Sequence, residues 1–221
     1  MSAPGKFLAC SRRTPAALLA LILCSVMHGS FCAAENISFR ADSMSGTTSG
    51  KESHAVLSGN AYIATESMEI RADTIELSGK DFRYVQASGN VSGSSSADKT
   101  SFTCTTLSYD RKTNIAVLQD SVHLTDSAND ATADAELMEY NQKKKTVIMQ
   151  IAVSIRQKEN TCTGAYALYH QDTKLLFLSG NPQVKQKGDT FRGQEITLNL
   201  ETQEVAIDGR VRGSVTRRED E

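Results

Sequence analysis

Leu57-Ser58-Gly59-Asn60, Ala87-Ser88-Gly89-Asn90 and Leu178-Ser179-Gly180-Asn181 are three near-identical tetrapeptides in one chain of 221 residues. Each lies within a run of alternating apolar and polar residues, and looser copies of the run centre on Asp120, Ile151 and Gly209. The six landmarks Gly59, Gly89, Asp120, Ile151, Gly180 and Gly209 are spaced 30, 31, 31, 29 and 29 residues apart. A fixed period of roughly 20–50 residues marks stacked supersecondary units, each burying its apolar face against its neighbours.

The positions two and four residues from each landmark carry the apolar side chains. Before the landmarks these include Leu57, Val85, Leu118, Val147, Met149, Leu176, Leu178, Val205 and Ile207. After them come Ile63, Val91, Val122, Leu124, Val153, Ile155, Val184 and Val211. Strict alternation predicts strands with one buried face. A glycine in mid-strand predicts a bend or bulge there. A second strand in each repeat centres on a small residue: Ala41, Ala72, Cys104, Ala135, Gly164 or Gly193. Its apolar positions fall two residues before that centre (Phe39, Ile70, Phe102) but three and five after it (Ile75 and Leu77, Leu107 and Tyr109). The break in parity needs one extra residue at a corner if both halves are to face one core. Turn signals such as Asp110-Arg111-Lys112-Thr113 and Asn141-Gln142-Lys143-Lys144 separate the strands and make each pair antiparallel. The fold class is all-β: an elongated, V-shaped antiparallel roll of about six 30-residue repeats, bent lengthwise around an apolar trough. No window holds an apolar face of helical period.

The N-terminus stands apart from the repeat. Lys6, Arg12 and Arg13 precede an apolar run from Ala16 to Val26 and the small residues Cys32-Ala33-Ala34. That order reads as a secretory signal peptide over residues 1–34. The apolar run is about half the ~20 residues that a membrane-spanning helix needs. The domain is expected over 35–215, with a charged tail at 216–221. Cleavage leaves 21 basic against 26 acidic residues and no basic block, which argues against a nucleic-acid partner. Cys104 and Cys162 fall in repeats three and five, too far apart along the stack for a disulfide, so two free buried thiols are expected.

The segment LSGNPQVKQKGDTFRGQEITLNLETQEVAIDGRVRGSV, Leu178 to Val215, carries the whole pattern: landmark glycine, alternating strand, small corner residue, second strand, landmark glycine. Over residues 36–215 the chain resembles the LptA/OstA-like family of periplasmic lipopolysaccharide transport proteins. The resemblance implies a V-shaped β-jellyroll whose interior holds the acyl chains of lipopolysaccharide or a similar glycolipid. It also implies partners: an inner-membrane anchor protein, an outer-membrane translocon, and further copies joined end to end. All the landmark-flanking apolar residues named above except Val211 become expected lipid contacts, and Val205, Ile207 and Val211 of the final strand an expected assembly edge. Asp120 and Ile151, where the landmark glycine is replaced, are where the lining is expected to depart from the simple pattern.

Other signals point away from catalysis. His54, His123 and His170 lie in separate repeats without metal-ligand spacing, and no nucleophile has a glycine-flanked elbow. No cofactor or metal is expected. Asp126, Asp130, Asp134 and Glu136 read as a solvated turn and Lys143-Lys144-Lys145 as a turn tip. Arg210, Arg212, Arg217 and Arg218 have two readings, as partners for lipid phosphates or as charges that keep an edge strand soluble. The function read from the chain is a periplasmic carrier or bridge for lipopolysaccharide. The rival readings are a membrane-anchored LptC-like component of the same pathway, a structural β-solenoid with a filled core, and a carbohydrate-active β-helix enzyme. Edman sequencing of the exported protein should begin at Glu35; a mature chain that retains Met1 selects the anchored component.

Overall fold

Every landmark is a corner made by two successive left-handed residues. The computed structural model describes residues 37–47, 53–65, 68–96 and 99–216. Within it Gly59 and Asn60 have φ of 75° and 46°, Gly89 and Asn90 76° and 47°, and Gly180 and Asn181 72° and 61°. The divergent copies keep the geometry: Asp120 and Ser121 at 63° and 54°, Ile151 and Ala152 at 65° and 54°, Gly209 and Arg210 at 68° and 49°. At each long-strand corner two residues stand opposite one. Ser58 pairs with Thr74 and Ala61 with Ala72, so Gly59 and Asn60 face Asp73 alone. The same two-against-one step separates Ser88 from Val91 and Gln119 from Val122. A bulge of this kind bends the strand and increases its twist.

The strands are β1 (Ser38–Arg40), β2 (Ser43–Thr47), β3 (Ser53–Ala64), β4 (Met68–Gly79), β5 (Tyr84–Ser95), β6 (Thr100–Asp110), β7 (Ile115–Asp126), β8 (Ala131–Asn141), β9 (Thr146–Gln157) and β10 (Asn160–His170). They continue with β11 (Leu175–Ser179), β12 (Gln183–Gln186), β13 (Asp189–Arg192), β14 (Glu195–Asn199), β15 (Val205–Asp208) and β16 (Arg212–Ser214). All sixteen form one sheet with antiparallel pairing throughout. One 3₁₀ turn, Lys80–Phe82, is the only helical segment among the described residues. Each long strand crosses the corner line, so the sheet has two arms. The first arm runs from β2 through the halves of β3 to β10 nearest the Lys80 turn, then β11, β14 and β15. The second runs from β1 through the other halves to β12, β13 and β16.

Both arms turn their inner faces to one core. In β4 the buried residues are Ile70 and Ala72, then Ile75 and Leu77, which is the parity break expected from the sequence. In β3 they are Ala55 and Leu57, then Ala61 and Ile63. Volume is matched across rungs: Gly93 pairs with Phe102, and a Cβ on Gly93 would lie 2.3 Å from the Phe102 ring. Large residues thus fill the space that small ones leave, as close packing requires. Cys104 and Cys162 are free and buried, and burial pushes their thiols up to about 11 and about 12. They stay protonated and unreactive at neutral pH.

Two expectations need correction. The landmark side chains do not touch the lining: Asp120 and Ile151 are exposed, Ile151 at 60%, while Leu118 and Val122 on either side of Asp120 stay buried. The expected departure of the core at these two copies is absent, because a left-handed residue at a corner throws its side chain outward. Nor is Val205–Val215 one strand. It breaks into β15 and β16 at Gly209 and Arg210, and Val211 lies between them, 58% exposed. The expected signal segment and residues 217–221 of the tail lie outside the described residues. Thr216 is held by Asp189 and Gly188 through its backbone N–H (2.8 Å) and hydroxyl (3.2 Å).

The turns of the first arm stack as a ladder. The N–H groups of Arg111, Gln142, Gln171 and Leu200 donate to the carbonyls of Arg83, Asn114, Lys145 and Lys174 at 2.9–3.0 Å. Arg83 grips Asp110 through Nε (2.8 Å) and Nη2 (2.6 Å). The guanidinium holds the Asp110 carboxyl well below the usual carboxylate range, and Asp110 in turn raises Arg83. An acid lowered on folding stabilises the fold above its unfolded pKa of about 4 and loses that contribution as pH falls through the folded value. The stability deficit of Asp110→Asn should therefore be full at pH 7 and shrink below about pH 4; a deficit independent of pH would mean that packing rather than charge is lost. At Ile151 a β-branched residue occupies a conformation that costs L-residues ~1–2 kcal/mol. Ile151→Gly should raise stability in urea by about 0.5–1 kcal/mol after the entropic cost of glycine; a loss above ~1 kcal/mol would show that the exposed side chain has a packing role.

Candidate functional site: an apolar lining between two charged rims

Strand pleat decides which side chains enter the space between the arms. From the first arm come Leu57, Val85, Leu118, Val147, Met149, Leu176 and Leu178; from the second come Ile63, Val91, Val122, Val153, Ile155 and Val184. All are at most 7% exposed and belong to a single cluster. Leu124, Val205 and Ile207 are half-buried and pack against that cluster. Val211 stays outside it. The expected lining residues are thus brought together, and Val211, expected only at the assembly edge, is not among them.

The lining does not stop at the ends of the sheet. On β1 and β2, Phe39 pairs with Ile63 and Met44 with Leu57, so both share the inner face. No further strand among the described residues covers them, and they are 50% and 46% exposed. At the other end Val205 and Ile207 pair with Leu198 and Ile196. Each terminal rung therefore presents an apolar continuation of the core beside open strand edges.

Two cavities among the described residues lie along the lining. One, of about 150 Å³, is walled by Ile37, Ile63, Met68, Ile70, Val85 and Tyr109, with Arg111, Asn114 and Gln142 at its rim. The other, of about 50 Å³, is apolar and lies among Leu124, Ala133, Met138, Met149, Ile155 and Leu176. Asn160 of the second arm donates to the Gln203 side chain in the last turn of the first arm. Gln157 and Asn160 are the buried polar residues among those described, and the Gln157 side-chain Oε1 has no hydrogen-bond partner among them. Burial, with the Asp126 charge as the lesser cause, raises the Tyr169 phenol.

The rows of turns that border the mouth differ in charge. Between residues 80 and 174 the first-arm turns carry Lys80, Arg83, Arg111, Lys112, Lys143, Lys144, Lys145 and Lys174 against Asp81, Asp110 and Asp172. The described second-arm turns carry Asp126, Asp130, Glu159 and Asp189 against Lys99, Lys158 and Lys187. This polarity was within reach of the sequence, since the cations recur at the repeat period, but each turn read alone is only a solvated tip. The histidines are on the outside: His54 bonds Glu76 (3.0 Å), His123 bonds Asp134 (2.7 Å), and His170 stacks edge-on against Phe177. Among the described residues no cluster of three or more potential metal ligands occurs.

A search of curated proteins gives no match. Among solved structures the chain is similar to LptH from Pseudomonas aeruginosa, described as the LptA homologous periplasmic component of the conserved lipopolysaccharide transport device. Identity is 15%, with 83% of this chain and 96% of that chain covered, and the TM-score is 0.26, too low to bear on the argument. The family described as LptA/(LptD N-terminal domain) LPS transport protein matches residues 40–175. The chain belongs to the LptA/LptD N-terminal domain family of lipopolysaccharide transport proteins.

Proposed function

We propose that the protein is a periplasmic carrier or bridge that holds the acyl chains of lipopolysaccharide, or a similar glycolipid, against its apolar lining on the way from inner to outer membrane. The observation that carries this reading is a lining unbroken from Phe39 and Met44 at one end to Val205 and Ile207 at the other. Each Å² of acyl surface moved from water to such a lining contributes about 25 cal/mol. No covalent step is required. The cavities of about 150 and 50 Å³ are smaller than an acyl chain needs, so loading requires the arms to part along the mouth.

Assembly follows from the ends. Edges at β1 and β2, and at β15 and β16, offer backbone donors and acceptors beside exposed apolar side chains, which suits strand addition. The partners proposed are an inner-membrane anchor protein, an outer-membrane translocon with a related fold, and a further copy of this chain. Near-complete burial of the lining favours one other reading, a structural β-solenoid with a core filled by its own side chains. A photo-crosslinking residue placed at Leu118, Met149 or Leu178 separates the two. The carrier should give lipopolysaccharide adducts from these positions and none from exposed Gln119; absence of adducts at all three inner positions selects the filled core.

A further inference from the structure

The basic row of the first arm is more than its internal ladder consumes. Arg83 is spent on Asp110 and Lys145 on Asp172 at 3.1 Å, and both pairs run along the row rather than across the mouth. Lys143 donates to the Lys112 carbonyl (2.9 Å). Lys80, Lys112 and Lys144 are exposed, and their ammonium groups have no partner among the described residues. They stand on three successive hairpin turns, a spacing of about 10 Å at two strands per turn. The cavity of about 150 Å³ reaches two of the same turns, with Arg111, Asn114 and Gln142 in its lining beside Ile63, Ile70 and Val85. The described residues of the opposite rim have no comparable excess of cations, and Asp126 and Asp130 there would repel an anion.

We infer that this row is a headgroup rail: anionic groups of the amphiphile, phosphate above all, rest on Lys80, Lys112 and Lys144 while an acyl chain enters that cavity. The assignment rests on the carrier reading and adds an orientation to it, with the headgroup tilted towards the first arm and away from the second. Exposed cations act through long-range attraction and weak pairing, so the effect depends on salt. Turn-to-turn repetition of the charge also lets a headgroup pass from one turn to the next without leaving the rim.

The test compares binding of phosphate-bearing and enzymatically dephosphorylated lipopolysaccharide to the full exported protein. At 50 mM salt the phosphate-bearing form should bind roughly tenfold tighter, and the preference should collapse at 0.5 M. The triple variant Lys80→Gln/Lys112→Gln/Lys144→Gln should lose the preference and keep its affinity for the dephosphorylated lipid. Lys99→Gln/Lys158→Gln on the opposite rim should keep both. A triple variant with the preference intact, equal binding of the two lipids by the unmodified protein, or equal loss in the opposite-rim variant would each overturn the rail and leave the carrier reading standing. Failure of either lipid to bind the unmodified protein would overturn the carrier reading, and the rail with it.

Discussion

Two consecutive left-handed residues opposite a single partner residue are the constraint on which the rest depends. With no Cβ, Gly59 and Gly89 let the facing strand close in, and an added Cβ would lie 2.5 Å from the Asp42 carboxylate in one case and 2.3 Å from that of Asp73 in the other. The following asparagines complete the contact, since Asn60 donates to Asp42 (2.8 Å) and Asn90 to Asp73 (2.9 Å). Because a one-residue slip flips every side chain beyond it, the extra residue at the corner decides that both arms face inward. Without it, Ile63 and Ile155 would point to water.

From that constraint the functional geometry follows. Corners in register along the stack fold one sheet lengthwise, and the alternating apolar residues of both arms become one lining. On the corner side each long strand passes unbroken from one arm to the other, whereas at the mouth the arms are linked by contacts such as the Asn160–Gln203 hydrogen bond. Opening is therefore cheapest along the mouth, where the turn rows and their charges lie. The same stacking leaves apolar side chains exposed at both ends, so the lining and the end surfaces are continuous.

The period, the strand pairs, the parity break at Ala72 and nearly the whole lining were legible in the sequence, because burial imposes a residue type every second position. Asp120 and Ile151 were misread because alternation alone assigns the landmark to the inner face. A left-handed corner instead turns that side chain out, so a polar or bulky residue there costs backbone strain rather than core packing. The break in the last strand at Gly209 was legible in kind, since all landmarks bend, but its effect on Val211 depends on the end of the sheet lacking a neighbour. The charge of the two rims was written in the sequence as cations recurring at the repeat period, but it became readable only once topology showed which turns share a side. Lys80, Lys112 and Lys144 are about thirty residues apart in sequence and become neighbours only through stacking.

The account stands on the arms parting when cargo binds. Spin labels on cysteines introduced by Ser127→Cys on the second-arm turns and Thr173→Cys on the first-arm turns report that separation directly, since both positions are exposed and the native thiols Cys104 and Cys162 are buried. Double electron–electron resonance should show the distance between labels lengthen when lipopolysaccharide is added and return when it is removed. Lipopolysaccharide bound with an unchanged distance distribution would contradict the account, because the cargo would then lie outside the lining.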